Sequence, residues 1–192
     1  MEKKIILRLG GWASTALRLV WNDTGENSGY IVERLEGKTW ERVVWIGDPK
    51  LTTCRIENLD PSTEYCFRVI PFRYDTNYKE ERQEEAQIIG KTPPASVSVL
   101  TGTSTATTVK LFWKWCDDAQ GCILEQKEKD NWKRIARITD KKRESWKICG
   151  LQPNSNYEFR IKTFSFWGNM PLYSFYKNVS VMTHKKEMEG GA

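Results

Sequence analysis

The peptide "LDPSTEYCFRV" (Leu59–Val69) returns ninety-two positions later as "LQPNSNYEFRI" (Leu151–Ile161). Leu, Pro, Tyr, Phe and Arg recur in register, and Ile161 stands for Val69. Tyr65, Phe67 and Val69 alternate with Cys66 and Arg68, the period of two that a half-buried strand requires. The peptide reads as a proline turn leading into a strand, and the chain contains it twice.

The match runs well beyond this peptide. At the same offset "LRLVW" (Leu17–Trp21) lies over "VKLFW" (Val109–Trp113), and "GYIVE" (Gly29–Glu33) over "GCILE" (Gly121–Glu125). "WERV" (Trp40–Val43) lies over "WKRI" (Trp132–Ile135), with no gap between Leu17 and Phe72. A self-match of this length means two copies of one domain. The 192 residues accommodate two domains of about 90–100 residues. "GKTPPASV" (Gly90–Val97) marks the junction, because adjacent Pro93 and Pro94 remove two backbone donors and favour extended chain. The expected domains are 1–93 and 94–184, with a polar, Gly-rich tail at 185–192. The first strand is expected to start almost at Met1.

Turn signals such as "NDTGENSG" (Asn22–Gly29) and "IGDPK" (Ile46–Lys50) separate segments of alternating polarity, and no stretch carries a helical period. About seven short strands per copy predict an all-β chain of two antiparallel sandwiches. The ordered features are Leu17, Leu19 and Trp21 in the second strand, then Gly29, Tyr30, Val32 and Glu33 in the third. Trp40 follows the next turn, then come the corner peptide and a closing Thr92-Pro93. In this order, and repeated, they resemble a fibronectin type III domain over nearly the whole chain. The second copy departs with Cys122 for the tyrosine and Thr183-His184 for Thr-Pro. The resemblance implies two tandem immunoglobulin-like sandwiches. In them Tyr65 and Tyr157 are corner tyrosines, each hydroxyl bonding backbone a few residues upstream. Trp21 and Trp113 are central core residues, each burying ~150–250 Å². A two-sandwich pair also resembles cytokine-receptor modules. Their Trp-Ser-x-Trp-Ser motif is missing, and "FWGNM" (Phe166–Met170) stands in its place.

Catalysis has little to work with. The one histidine, His184, has no nucleophile–base set around it, and no Gly-rich phosphate loop is present. No enzyme activity, cofactor or metal is expected. Five cysteines form no CxxC pair. The spacing of Cys116 and Cys122 permits a bridge without requiring it, and free thiols are the alternative. No apolar run approaches the ~20 residues of a membrane span, so no membrane insertion is expected. "MEKKIILRLGG" (Met1–Gly11) is too short in its apolar run for a secretory leader. The expected compartment is the cytoplasm as given, or extracellular if this is a piece of an ectodomain. Asn22 and Asn178 begin glycosylation sequons on segments expected to be exposed.

Binding is the better prospect, and the expectation is a monomeric interaction or scaffold module for a protein partner. Residues 1–93 hold 14 Lys/Arg against 15 Asp/Glu, whereas residues 94–192 hold 16 against 10. Lys133, Arg134, Arg137, Lys141, Lys142 and Arg143 form a basic strip, diluted by Glu128, Asp130, Asp140 and Glu144. Such a strip suits a polyanion, either a sulfated glycan or a nucleic acid. The chain also carries nine tryptophans, more than the repeat pattern uses. Trp146 is expected in the core. Phe166, Trp167, Tyr173 and Tyr176, read as a loop before the last strand, are the aromatic contact candidates. The matching segment of the first copy, "RYDTNYKEERQEE" (Arg73–Glu85), is highly charged, so the two segments suit different ligands.

Overall fold

The computed structural model describes residues 3–186, and these form sixteen strands with no helix. The chain divides into two compact units, the first ending at Thr92 and the second beginning at Pro93. Unit 1 holds β1 (Leu7–Ala13), β2 (Ala16–Trp21), β3 (Gly29–Glu36), β4 (Thr39–Ile46), β5 (Thr53–Ile56), β6 (Glu64–Tyr74), β7 (Glu80–Arg82) and β8 (Ala86–Lys91). Unit 2 holds β9 (Val99–Ser104), β10 (Thr108–Lys114), β11 (Gly121–Glu128), β12 (Asn131–Ile138), β13 (Ser145–Cys149), β14 (Asn156–Trp167), β15 (Met170–Tyr173) and β16 (Lys177–Met182).

In unit 1 one sheet runs β1-β2-β5. The other runs β4-β3-β6, with β7 and β8 both on the far side of β6. Unit 2 repeats this as β9-β10-β13 and β12-β11-β14, with β15 and β16 both on β14. All pairs are antiparallel, and each unit is an immunoglobulin-like sandwich of two sheets. The core of each unit lies between its two sheets. Leu17, Leu19 and Trp21 meet Tyr30, Val32, Phe67 and Val69 in unit 1, and Val109, Leu111 and Trp113 meet Cys122, Leu124, Phe159 and Ile161 in unit 2.

The repeated corner is built the same way twice. Leu59 and Leu151 are buried at the base of the cores. The Asp60 N–H donates to the Tyr65 hydroxyl and the Gln152 N–H to the Tyr157 hydroxyl, each at 2.8 Å. A second lock was not visible in the sequence. Buried Thr92 donates its hydroxyl to the Asp60 carbonyl at 2.6 Å and accepts the Thr63 N–H at 3.0 Å. Thr183 does the same with Gln152, at 2.7 Å, and Ser155, at 3.0 Å. The threonine makes these bonds, so the lock survives where His184 replaces the proline.

Each unit has eight strands where about seven were expected, because β6 and β14 continue past the core and fold back as hairpins with β7 and β15; two other expectations need correction. Gly168, at φ +57°, opens the tight turn between Trp167 and Met170, where two-residue hairpins favour glycine. The first strand begins at Leu7, not near Met1. Before it Ile5 is buried in the core, and the Ile6 N–H donates to the Asn22 carboxamide oxygen, drawing the chain off the sheet edge. Trp146 is only partly buried, packed at the margin of the core.

Candidate functional site

Cross-strand partners share one face of a sheet. In unit 1 the face turned away from the core is followed through three rows: Arg42–Glu33–Arg68, Trp45–Ile31–Ile70, and Gly29–Phe72–Arg82. In unit 2 the same rows read Arg134–Glu125–Arg160, Arg137–Ile123–Lys162, and Gly121–Phe164–Tyr173. Both faces need the glycine. A Cβ on Gly29 or Gly121 would run into the carbonyl of Ile46 or Ile138 and the ring of Phe72 or Phe164. Each phenylalanine therefore lies down over its third strand.

Unit 1 covers much of its face with its own side chains. Ile31, Ile70 and Phe72 form a small second core outside the sandwich, and the Trp45 ring stacks on Phe72 at 5.6 Å. Glu33, 3% exposed, accepts from Arg68 at 2.7 Å and Arg82 at 2.8 Å. Arg68 also donates to Glu85 at 2.8 Å and lies 4.4 Å from the centre of the Trp40 ring. The charges around Glu33 are paired internally, while Trp45 and Tyr74 remain 47% and 46% exposed.

Unit 2 uses rings where unit 1 uses ions. Arg160 donates to Glu125 at 2.6 Å and lies between the Trp132 ring at 4.2 Å and the Tyr176 ring at 3.7 Å. The Lys162 ammonium sits 4.4 Å from the Tyr173 ring and 4.7 Å from that of Tyr176. Arg137 covers Phe164 at 4.8 Å, and Phe164 meets Phe166 and Tyr173 edge-on. Phe166 and Tyr173 remain 38% and 39% exposed. Lys127 pairs with Glu158 at 2.8 Å, whereas Arg134, Arg137 and Lys162 have no carboxylate partner among the described residues.

The structure regroups the residues expected from the sequence. Phe166, Tyr173, Tyr176, Arg134 and Arg137 come together on the outer face of unit 2. Trp167 does not join them. It pairs with Met170, one position on from the Phe166–Pro171 pair, so its side chain points to the opposite side of the hairpin. Lys133 also leaves the group. It lies in the row of Gln126 and core Phe159, at the sheet edge, and pairs with Glu128 at 3.0 Å. Lys141, Lys142 and Arg143 belong to the connection between β12 and β13. There the Lys141 ammonium donates to the Asp117 carbonyl at 2.7 Å, and Arg143 lies over Trp146. The basic strip is thus continuous in sequence and divided in space. Arg160, Lys162, Trp132 and Phe164 were missed. Every second residue of β14 outward from Glu158 gives Arg160, Lys162, Phe164 and Phe166, and that alternation was the signal.

The remaining chemistry is structural. All five cysteines are free. Cys122 faces the core, while the Cys116 thiol donates to the Ala95 and Ser96 carbonyls, so the two do not meet. Burial pushes the Cys54 thiol up to about 11 and that of Cys122 to about 12. The two sequons differ. Asn178 is exposed on β16. Against expectation, Asn22 is half-buried and spends its amide on the Lys4 and Asp23 carbonyls. Cavities of 160 Å³ beside Thr24, 230 Å³ beside Trp132 and 240 Å³ beside Arg143 fall below the ~300 Å³ usual for small-molecule sites.

No family model matches the chain. Among solved structures, the chain is similar to a two-domain fibronectin type III segment of chicken tenascin, at 14% identity and a TM-score of 0.47. The alignment covers 93% of this chain and 98% of that one. It is also similar to the FN1–FN3 domains of chicken CNTN1, at 19% identity and a TM-score of 0.45, covering 94% of this chain and 66% of that one.

Proposed function

We propose that the chain is a non-catalytic interaction module of two tandem sandwiches. The outer face of β12-β11-β14-β15 in unit 2 contacts a protein partner, and unit 1 serves as a scaffold domain. One observation carries the reading. The face of unit 2 sets the exposed ring of Tyr173 against Lys162, a cation with no carboxylate partner among the described residues, whereas the exposed Trp45 on the face of unit 1 stacks on Phe72. Trp, Tyr and Arg are the residue types most enriched among interface anchors, and small cavities favour recognition of a surface over a small molecule. The test is affinity capture with the wild-type chain, with Phe166→Ala/Tyr173→Ala, and with Trp45→Ala in unit 1. The reading expects the double variant to lose partners that the Trp45 variant keeps. Identical capture by all three overturns it.

A second reading has support in the clustering of Arg134, Arg137 and Lys162 on that face: the polyanion binder. It requires retention on heparin that falls steeply with salt. Release at low ionic strength removes it.

A further inference from the structure

Resting on the protein-contact reading, we propose that the segment seated on the outer face of unit 2 is acidic: carboxylate side chains interspersed with apolar ones, in a protein partner. The outward positions of these strands carry five cations, Lys127, Arg134, Arg137, Arg160 and Lys162, against two carboxylates, Glu125 and Glu158. Both carboxylates are already spent, Glu125 on Arg160 at 2.6 Å and Glu158 on Lys127 at 2.8 Å. Three positive groups remain for a ligand. Two of these positions, Arg137 and Lys162, are Trp45 and Ile70 in unit 1, so the charge belongs to this unit and not to the repeated scaffold.

Spacing favours carboxylates over a nucleic acid backbone. Arg137 and Lys162 stand in one row on strands separated by β11, about 10 Å apart at ~4.8 Å per strand. A polynucleotide strand carries a charge about every 3.4 Å. Three isolated cations at this spacing neutralise a small fraction of it, and they match well-separated side-chain carboxylates better. Tyr173 lies beside Lys162 and Phe166 follows Phe164 along β14, so their exposed edges take the apolar side chains of the same segment. Electrostatic complementarity of this kind sets register and partner choice.

The test uses the full chain, isotope-labelled, and four probes: a twelve-residue peptide of repeated Glu-Tyr-Glu-Leu, its counterpart with Gln for every Glu, oligothymidylate and heparin. Amide shifts map the site, and titration gives the affinity. The acidic peptide should saturate shifts in β12, β14 and β15. Binding should weaken about tenfold for the Gln peptide and about tenfold for the wild-type peptide on Arg134→Glu/Lys162→Glu. Both substituted residues are on the surface, and β2 and β10 shifts report that the fold is kept. Equal or tighter binding of the Gln peptide at the same strands overturns the acidic inference while leaving the contact face standing. Shifts confined to unit 1 overturn both. Tighter binding of oligothymidylate or heparin than of the acidic peptide, or no shift with that peptide, also overturns the inference.

Discussion

Arg68 and Arg160 occupy the same place in the two units and are held differently. Each stacks on a tryptophan, Trp40 or Trp132, and each meets a carboxylate on the third strand, Glu33 or Glu125. On the remaining side Arg68 meets Glu85 and Arg160 meets the ring of Tyr176. Unit 1 adds Arg82 to Glu33, where unit 2 has Tyr173. One frame therefore supports two surfaces, one in which the arginine is held mainly by carboxylates and one in which it is held mainly by rings. The scaffold sets where an arginine stands. Neighbours contributed by the unlike hairpins decide whether its surroundings are left for a partner.

The strongest way to break this comparison is at the shared carboxylate. Glu33→Gln leaves two guanidinium groups without their buried partner and should cost unit 1 about 3–5 kcal/mol. Glu125→Gln should cost unit 2 about 1.5–3 kcal/mol, since one charged hydrogen bond is lost and Arg160 keeps both rings. Native-state hydrogen exchange of β3 and β6 against β11 and β14 reads the two separately. Equal losses mean that the faces are not held differently. The corner should behave alike in both units. Tyr65→Phe and Tyr157→Phe each remove one hydroxyl acceptor and should cost about 1 kcal/mol apiece, measured in the same way.

A smaller effect tests the open face. Tyr176→Ala removes one of two rings from Arg160 and should cost about 0.5–1 kcal/mol. Glu85→Ala, at the matching position, should cost less than about 1 kcal/mol. The final contrast leaves stability unchanged at neutral pH. The Cys54 and Cys122 thiols have folded-state pKa values raised by burial to about 11 and about 12, so at pH 10 they keep their protons. A thiol reagent at that pH should label exposed Cys149 and leave these two until the chain unfolds. Rapid labelling of Cys122 in the native chain would contradict its core position.

The legible part of the fold was the part written in local chemistry. Pro61, Tyr65 and the alternating Phe67 and Val69 carry the corner within one short peptide, and the repeat doubles the signal. The Thr92 and Thr183 locks were not legible, because each spans about thirty residues and a threonine near a strand end has many other uses. The β14–β15 hairpin reads as a loop in the sequence because Gly168, Asn169 and Pro171 interrupt it and its one inward row, Ser165 opposite Leu172, is too short to show a period. The candidate surface was half legible. Phe166, Tyr173, Tyr176, Arg134 and Arg137 were found by composition. Lys133 was grouped with Arg134 because neighbours in sequence look like neighbours in space, yet successive strand residues face opposite ways.

The differing outer rows also bear on how the chain reaches its native state. Two domains with matching strands are exposed to exchange, each accepting the other's segment during folding, a recognised failure of tandem repeats. β6 and β14 share their inward tyrosine and phenylalanine, and Val69 answers to Ile161, so the inward rows discriminate poorly between them. The outward rows discriminate well. If β14 paired with β3, Lys162 would occupy the place of Ile70, buried beside Ile31 and Phe72. A buried ammonium without a partner costs several kcal/mol. Lys162, outward-facing in its own unit, thus disfavours that exchanged pairing.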